Sequence, residues 1–186
     1  ALTVFGAPAP PAVWAALHDA KLSSYSNVIV VARAGGDFTT VKAAVHSITD
    51  NSPANRYLVW VAPGIYTETV VMKQYVDIEG AGERATKIVS TRIANSATLY
   101  GASNAELRYL TVESRSSSTP AIWNDNASPS LLHVTAISSP QTSEDMGITS
   151  DASPDIAMDY GIRNTSASAP LMVDVTVSTT VELNAL

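Results

Sequence analysis

Cysteine is absent from the 186 residues, which excludes disulfides, zinc-thiolate sites, iron-sulfur clusters and thiol nucleophiles together. Charge is scarce: 15% of the residues are Asp, Glu, Lys or Arg, against about a quarter in an ordinary soluble domain. From residue 94 onward there is no lysine, and Arg108, Arg115 and Arg163 face ten Asp and Glu. A surface of that sign repels a phosphate backbone, so nucleic acid is excluded as a partner. No apolar run approaches the roughly 18 residues of a spanning helix, and no basic segment leads into an apolar one. Neither a membrane span nor a retained signal peptide is expected. The start at Ala1 fits a processed chain and simple Met removal equally.

What is there in quantity is apolar: 46% of the residues are hydrophobic, enough for one well-buried core in one domain. Polarity comes from hydroxyls and amides more than from ions. Net charge is -6, with eight Lys and Arg against seven Asp and Glu up to residue 93, so nearly all of the negative excess lies in the second half.

Residues 1–26 read as a separate arm. Ala1, Leu2, Thr3, Val4 and Phe5 form a strand-like piece, Gly6 to Pro11 a stiff linker, and Ala12 to Leu22 a short amphipathic helix. Val28 to Ala32 is a β-branched strand of the buried type. Phe38, Val41, Val45 and Ile48 then recur at helical spacing, with Asp37 as the expected N-cap. After Pro53 the chain becomes short strands, at Tyr57 to Val61, Thr67 to Val71, Val76 to Ile78 and Lys87 to Val89, separated by turn residues.

Internal repetition decides the fold class. Leu99-Tyr100-Gly101 and the following Leu107 align with Ile122-Trp123-Asn124 and Leu131, then with Ile148-Thr149-Ser150 and Ile156, then with Ile162-Arg163-Asn164 and Leu171. A repeat near 23 residues with several short strands suits an all-β, right-handed parallel β-helix of about seven coils over residues 27–186, closed by a short N-terminal capping helix. Leucine-rich repeats have similar spacing, but the copies lack their regular Leu and Asn pattern. In the β-helix, Leu99, Ile122, Ile148 and Ile162 stack inward in one ladder, and Leu107, Leu131, Ile156 and Leu171 in another. Strand alternation sends Tyr100, Trp123, Thr149 and Arg163 outward as a column. Asn124 and Asn164 are expected at a coil corner, where left-handed backbone and stacked amides suit Asn.

Gly36-Asp37-Phe38-Thr39-Thr40-Val41, Trp60-Val61-Ala62-Pro63-Gly64-Ile65-Tyr66 and Val76-Asp77-Ile78-Glu79-Gly80-Ala81-Gly82 together resemble the opening of pectin methylesterases and their pectin-lyase-like relatives. The resemblance implies a right-handed parallel β-helix whose early helix caps the coil stack. It also implies catalysis by an aspartate nucleophile, an aspartate acid/base, glutamines around an oxyanion and a downstream arginine. Thr119-Pro120-Ala121-Ile122 stands where the first glutamine motif belongs. Gln141-Thr142-Ser143 does not continue as the acid/base motif, Met158-Asp159-Tyr160-Gly161 matches the nucleophile segment loosely, and the chain stops before the arginine motif. No catalytic residue is therefore assigned.

Other motifs carry less. Gly80-Ala81-Gly82-Glu83-Arg84-Ala85 matches a dinucleotide fingerprint in letters, but Thr86 to Val89 continues as strand, so a coil turn is expected. Glu144, Asp145, Asp151, Asp155 and Asp159 fit no calcium-loop spacing, and His18, His46 and His133 are scattered. No metal and no cofactor is expected. Asn126 and Asn164 begin glycosylation sequons.

A β-helix cannot close its own ends. The C-terminal stretch containing Val175, Val177, Val181 and Leu183 offers no helix to cap it, while the arm of Ala1 to Phe5 could pair with a neighbouring subunit's sheet. The leading expectation is a non-catalytic subunit of an extracellular or cell-surface fibre, appendage or virion spike, assembling with itself through these residues. The alternatives are a carbohydrate esterase or lyase relative using acidic residues near Asp155 and Asp159, and a glycan-binding module in which Tyr100, Trp123 and Arg163 hold polysaccharide.

Overall fold

The computed structural model describes residues 25, 27–91, 96–116, 119–138 and 161–179. Among the described residues the strands are β1 (Asn27–Val31), β2 (Tyr57–Val61), β3 (Gly64–Thr67), β4 (Val70–Val71), β5 (Val76–Gly80), β6 (Thr86–Ser90), β7 (Leu99–Tyr100), β8 (Glu106–Ser114), β9 (Ile122–Asp125), β10 (Ser130–Ser138), β11 (Ile162–Thr165) and β12 (Leu171–Thr179), and the helix is α1 (Val41–Ser47). Every strand pairing is parallel. One sheet runs β1-β2-β5-β8-β10-β12 with β3 and β6 beside it, and a second runs β4-β7-β9-β11. This is the right-handed parallel β-helix. Six strands in the longer path give six coils among the described residues, where the repeat predicted about seven.

The third repeat copy, with Ile148 and Ile156, lies outside the described residues. Ile122 pairs directly with Ile162 and Leu131 directly with Met172, so no rung built on Ile148 or Ile156 intervenes between those strands. Leu99, Ile122 and Ile162 do form one inward ladder. In the second ladder Leu107 meets Leu131, but the next member is Met172, and Leu171 stands beside Ser130. With a side-chain period of two, that one-residue slip turns Leu171 to the opposite face, where it is 61% exposed.

Helix α1 begins later than expected. Thr40, not Asp37, is the N-cap, its hydroxyl accepting from Ala43 N, while the Asp37 carboxylate accepts from Val30 N. Glu68 of the next coil accepts from both Val41 N and Lys42 N, satisfying two of the amides that a helix start leaves without partners. Val41, Ala44 and Val45 are buried on the coil interior, so the helix closes the stack as the capping element.

Tyr109, His133 and Asp174 share a corner in β8, β10 and β12, each with φ between 50° and 55°. At that corner β8 passes from the stretch that pairs with β5, at Leu107 and Arg108, to the stretch that pairs with β6, at Thr111 to Ser114. Left-handed backbone costs non-glycine residues about 1–2 kcal/mol. Part of that is offset by stacking of Tyr109 on His133, with ring centroids 5.1 Å apart and planes 11° from parallel. Gly80 ends β5 against this corner, and a Cβ there would lie 2.4 Å from the Tyr109 carbonyl oxygen.

Candidate functional site

The outward face of β4-β7-β9-β11 carries the predicted column. Val71, Tyr100, Trp123 and Arg163 stand in register across the four strands. The Tyr100 and Trp123 rings lie 5.8 Å apart and tilted by 30°, and the Arg163 guanidinium sits 4.7 Å from the indole centroid, within cation–π range. Trp123 Nε1 donates to Thr165 Oγ1 at 2.9 Å, Thr165 and Ser166 hydroxyls donate to Asp125, and Ala97 N donates to the Tyr100 hydroxyl. The hydrogen bonds from Ser166 and Thr165 hold the Asp125 carboxyl below its ordinary range. Thr149, the remaining predicted member, lies outside the described residues.

Behind the column, Asn124 Nδ2 donates to Asn164 Oδ1 at 2.8 Å, the stacked amide pair expected of these two residues. Both, however, lie inside strands. The left-handed corner belongs to Asn126 and Ser166, two residues further on. Asn126, of the first sequon, is exposed, and Asn164, of the second, already uses its amide oxygen.

A second concavity, of about 880 Å³, lies over the outer side of β6, β8, β10 and β12. Thr111, Thr135 and Thr176 form a register ladder next to Lys87, with Glu83 and Arg84 on the Gly80-to-Ala85 turn forming one wall. Thr111 Oγ1 donates to the Glu83 carbonyl at 2.7 Å and Thr135 Oγ1 to its carboxylate at 2.5 Å. This groove was not singled out in the sequence, although Leu110-Thr111, Val134-Thr135 and Val175-Thr176 recur there in the repeats. Hydroxyls and two cations can hydrogen-bond a polyhydroxylated chain, and among the described residues the groove holds no Ser-His or Cys-His pair that would make a nucleophile.

At the end of the groove Glu113 bridges Lys87, at 2.7 Å, and Arg115. Burial pushes its carboxyl up, but the two cations more than offset this and hold it below the ordinary carboxylate range. A depressed folded-state pKa contributes stability above the unfolded-state value, lost as pH falls through the folded one. Unfolding midpoints measured from pH 6 down to pH 3 are therefore expected to fall less steeply below pH 4.5 for Glu113→Gln than for the unmutated chain.

On the β5 and β8 rungs of the first sheet, three outward charged residues are buried. Asp77, Glu79 and Arg108 are 2%, 4% and 1% exposed. Arg108 Nε donates to Glu79 at 2.5 Å and its other nitrogens reach Glu106 and the Tyr25 hydroxyl, while Asp77 accepts from Arg56, Tyr25 and Glu106 N. Burial first, then the hydrogen bond to Asp77, pushes the Tyr25 hydroxyl up to about 12.

Of the residues expected to make subunit contacts, Val175 packs against the core and Val177 is exposed on β12, whereas Ala1 to Phe5, Val181 and Leu183 lie outside the described residues. So do His18, the acidic group from Glu144 to Asp159, and the segments at 141–143 and 158–160 where esterase motifs were sought. His46 and His133 are far apart, one on α1 and one on β10. Among the described residues no three His, Asp or Glu gather to hold a metal, and no helix is long and apolar enough to cross a membrane.

The coil stack, capping helix and parallel sheets define a right-handed β-helix of the pectin methylesterase type. The chain is homologous to pectin methylesterases. It is 34% identical over 88 residues to "Putative pectinesterase 11" of Arabidopsis thaliana, covering 43% of this chain and 25% of that protein. A solved pectin methylesterase mutant in complex with a hexasaccharide superposes with a TM-score of 0.61 at 14% identity, over 83% of this chain and 49% of the other. Carrot pectin methylesterase gives 0.50 at 16% identity, over 83% and 53%. Pectin methylesterase PemA from Erwinia chrysanthemi gives 0.51 at 14%, over 62% and 46%. The chain thus spans about half the length of these structures and a quarter of the plant relative. No family model matches it.

Proposed function

We propose that the protein is a carbohydrate-active relative of pectin esterases, working outside the cell on pectin-type polysaccharide held along the outward face of β4-β7-β9-β11. The sequence match to the plant pectinesterase carries this reading, because it concerns a named activity and not the fold alone. Support comes from the column: an aromatic pair with a guanidinium, in register and braced by hydrogen bonds, is suited to sugar rings and their carboxyl groups. Trp123→Ala is expected to weaken binding of a methyl-esterified oligogalacturonate about tenfold, read by calorimetric titration. Release of methanol from esterified pectin, lost in Asp159→Ala, would establish ester hydrolysis. Trp123-dependent binding without methanol would leave a binding module.

A second reading, self-assembly without catalysis, draws on the end of the stack. Strand β12 pairs only with β10 among the described strands, and Leu171, Met172, Val173 and Val177 are exposed on it. Sedimentation showing fixed oligomers, with no affinity for pectin, would favour it.

A further inference from the structure

Strand β4 extends the sugar-facing row to a hollow of about 250 Å³ between α1 and the second sheet, lined by Lys42, Val45, His46, Thr69, Val71 and Lys73. Val71 is common to both: it lines the hollow and is the register partner of Tyr100. Lys42 and His46 are four residues apart on one face of α1, and Lys73 approaches from the turn after β4. Two lysines thus line one hollow in a chain whose net charge is -6.

Neither ammonium is paired directly with a carboxylate among the described residues. Lys73 Nζ donates to the Ile48 and His46 carbonyls, at 2.6 and 3.3 Å, which orients it without cancelling its charge. The adjoining carboxylate, Glu68, accepts from the Val41 and Lys42 amides, so one negative charge stands against the two lysines. On the wall the Thr69 hydroxyl is buried with no hydrogen-bond partner, a condition that costs free energy unless a ligand or water satisfies it.

We infer that this hollow is an anion subsite that takes a free, de-esterified carboxylate of a uronic acid chain lying along the Val71-Tyr100-Trp123-Arg163 row. The inference rests on the pectin reading above and adds a preference to it. Three parallel strand spacings separate Val71 from Arg163, about 14 Å, so one short oligosaccharide spans both. The lysines supply charge-assisted hydrogen bonds, which favour a carboxylate over its methyl ester.

The test compares an oligogalacturonate in its free-acid and fully methylated forms, titrated calorimetrically against the unmutated chain, Lys42→Glu and Trp123→Ala. Lys42 is exposed on the helix, so its replacement is expected to leave folding intact, and circular dichroism checks that. The acid form is expected to bind more tightly to the unmutated chain, and Lys42→Glu to lose roughly five- to tenfold for the acid form with little change for the ester. Its advantage should shrink as salt rises. Equal binding of the two forms, or an acid-form affinity untouched by Lys42→Glu while Trp123→Ala still reduces it, overturns the subsite and spares the pectin reading. No binding of either form removes both.

Discussion

Replacing Arg108 with alanine is expected to lower the unfolding midpoint by roughly 10 °C. Its guanidinium is almost wholly buried and meets Glu79, Glu106 and the Tyr25 hydroxyl. Removing one partner of a buried ion pair typically costs about 3–5 kcal/mol, because the remaining charge stays desolvated without compensation. Here Glu79, itself 4% exposed, is the group left behind. A chain of this size loses about 2–4 °C per kcal/mol, which sets the scale. The loss belongs to a buried carboxylate deprived of its guanidinium more than to the pair itself, so Arg108→Met combined with Glu79→Met is expected to recover a good part of it. Thermal unfolding followed by circular dichroism measures both. A midpoint for Arg108→Ala within a degree or two of the unmutated chain would mean that water reaches this cluster in solution.

That cluster also marks a limit of sequence reading. With Val76 and Ile78 inward, strand alternation turns Asp77 and Glu79 away from the coil interior, but outward is not the same as exposed. Pairing of Glu79 with Arg108 depends on two strands 29 residues apart being neighbours, and Tyr25 reaches Asp77 from further still. Nothing local encodes such contacts. The β-helix itself was legible because each coil repeats the inward pattern, and the ladder Leu99, Ile122 and Ile162 followed from it. Where the reading slipped, a long-range count would have corrected it. Leu131 stands three residues before Val134, and three before Val175 is Met172, not Leu171.

The corner at Tyr109, His133 and Asp174 was not legible because turn signals are read from Gly, Asn and Pro, and a Tyr or His in left-handed backbone is tolerated only when the stack enforces it. The column of Tyr100, Trp123 and Arg163 was legible for the opposite reason: each residue directly follows an inward apolar residue in a recognisable copy. The hollow beside α1 was not, since Lys42 and Lys73 belong to different coils and converge only when the helix closes the stack.

Gly101→Ala is expected to weaken polysaccharide binding although Gly101 need touch no sugar. Gly101 occupies, one coil earlier, the place held by Asn124, following Tyr100 as Asn124 follows Trp123. A Cβ on it would lie 2.0 Å from Asn124 Oδ1 and 3.0 Å from the Pro129 ring. Asn124 is fully buried, and its Oδ1 has no hydrogen-bond partner. Turning that amide away therefore breaks the bond from its Nδ2 to Asn164 and leaves buried polar groups unsatisfied. Overpacking costs about 1–3 kcal/mol and a buried group left without its partner about as much again, so a loss of about 2–4 kcal/mol in stability is expected from denaturant unfolding. Because Asn124 and Asn164 directly follow Trp123 and Arg163 in their strands, the same shift moves the guanidinium relative to the indole. Trp fluorescence should change in the folded protein, and affinity for a methyl-esterified oligogalacturonate should fall by about as much as in Trp123→Ala. A destabilised Gly101→Ala that retains full affinity at a temperature where it is folded would show that the amide pair supports the coil alone, and that the sugar chain lies elsewhere, with the threonine groove over β8 and β10 the next face to probe.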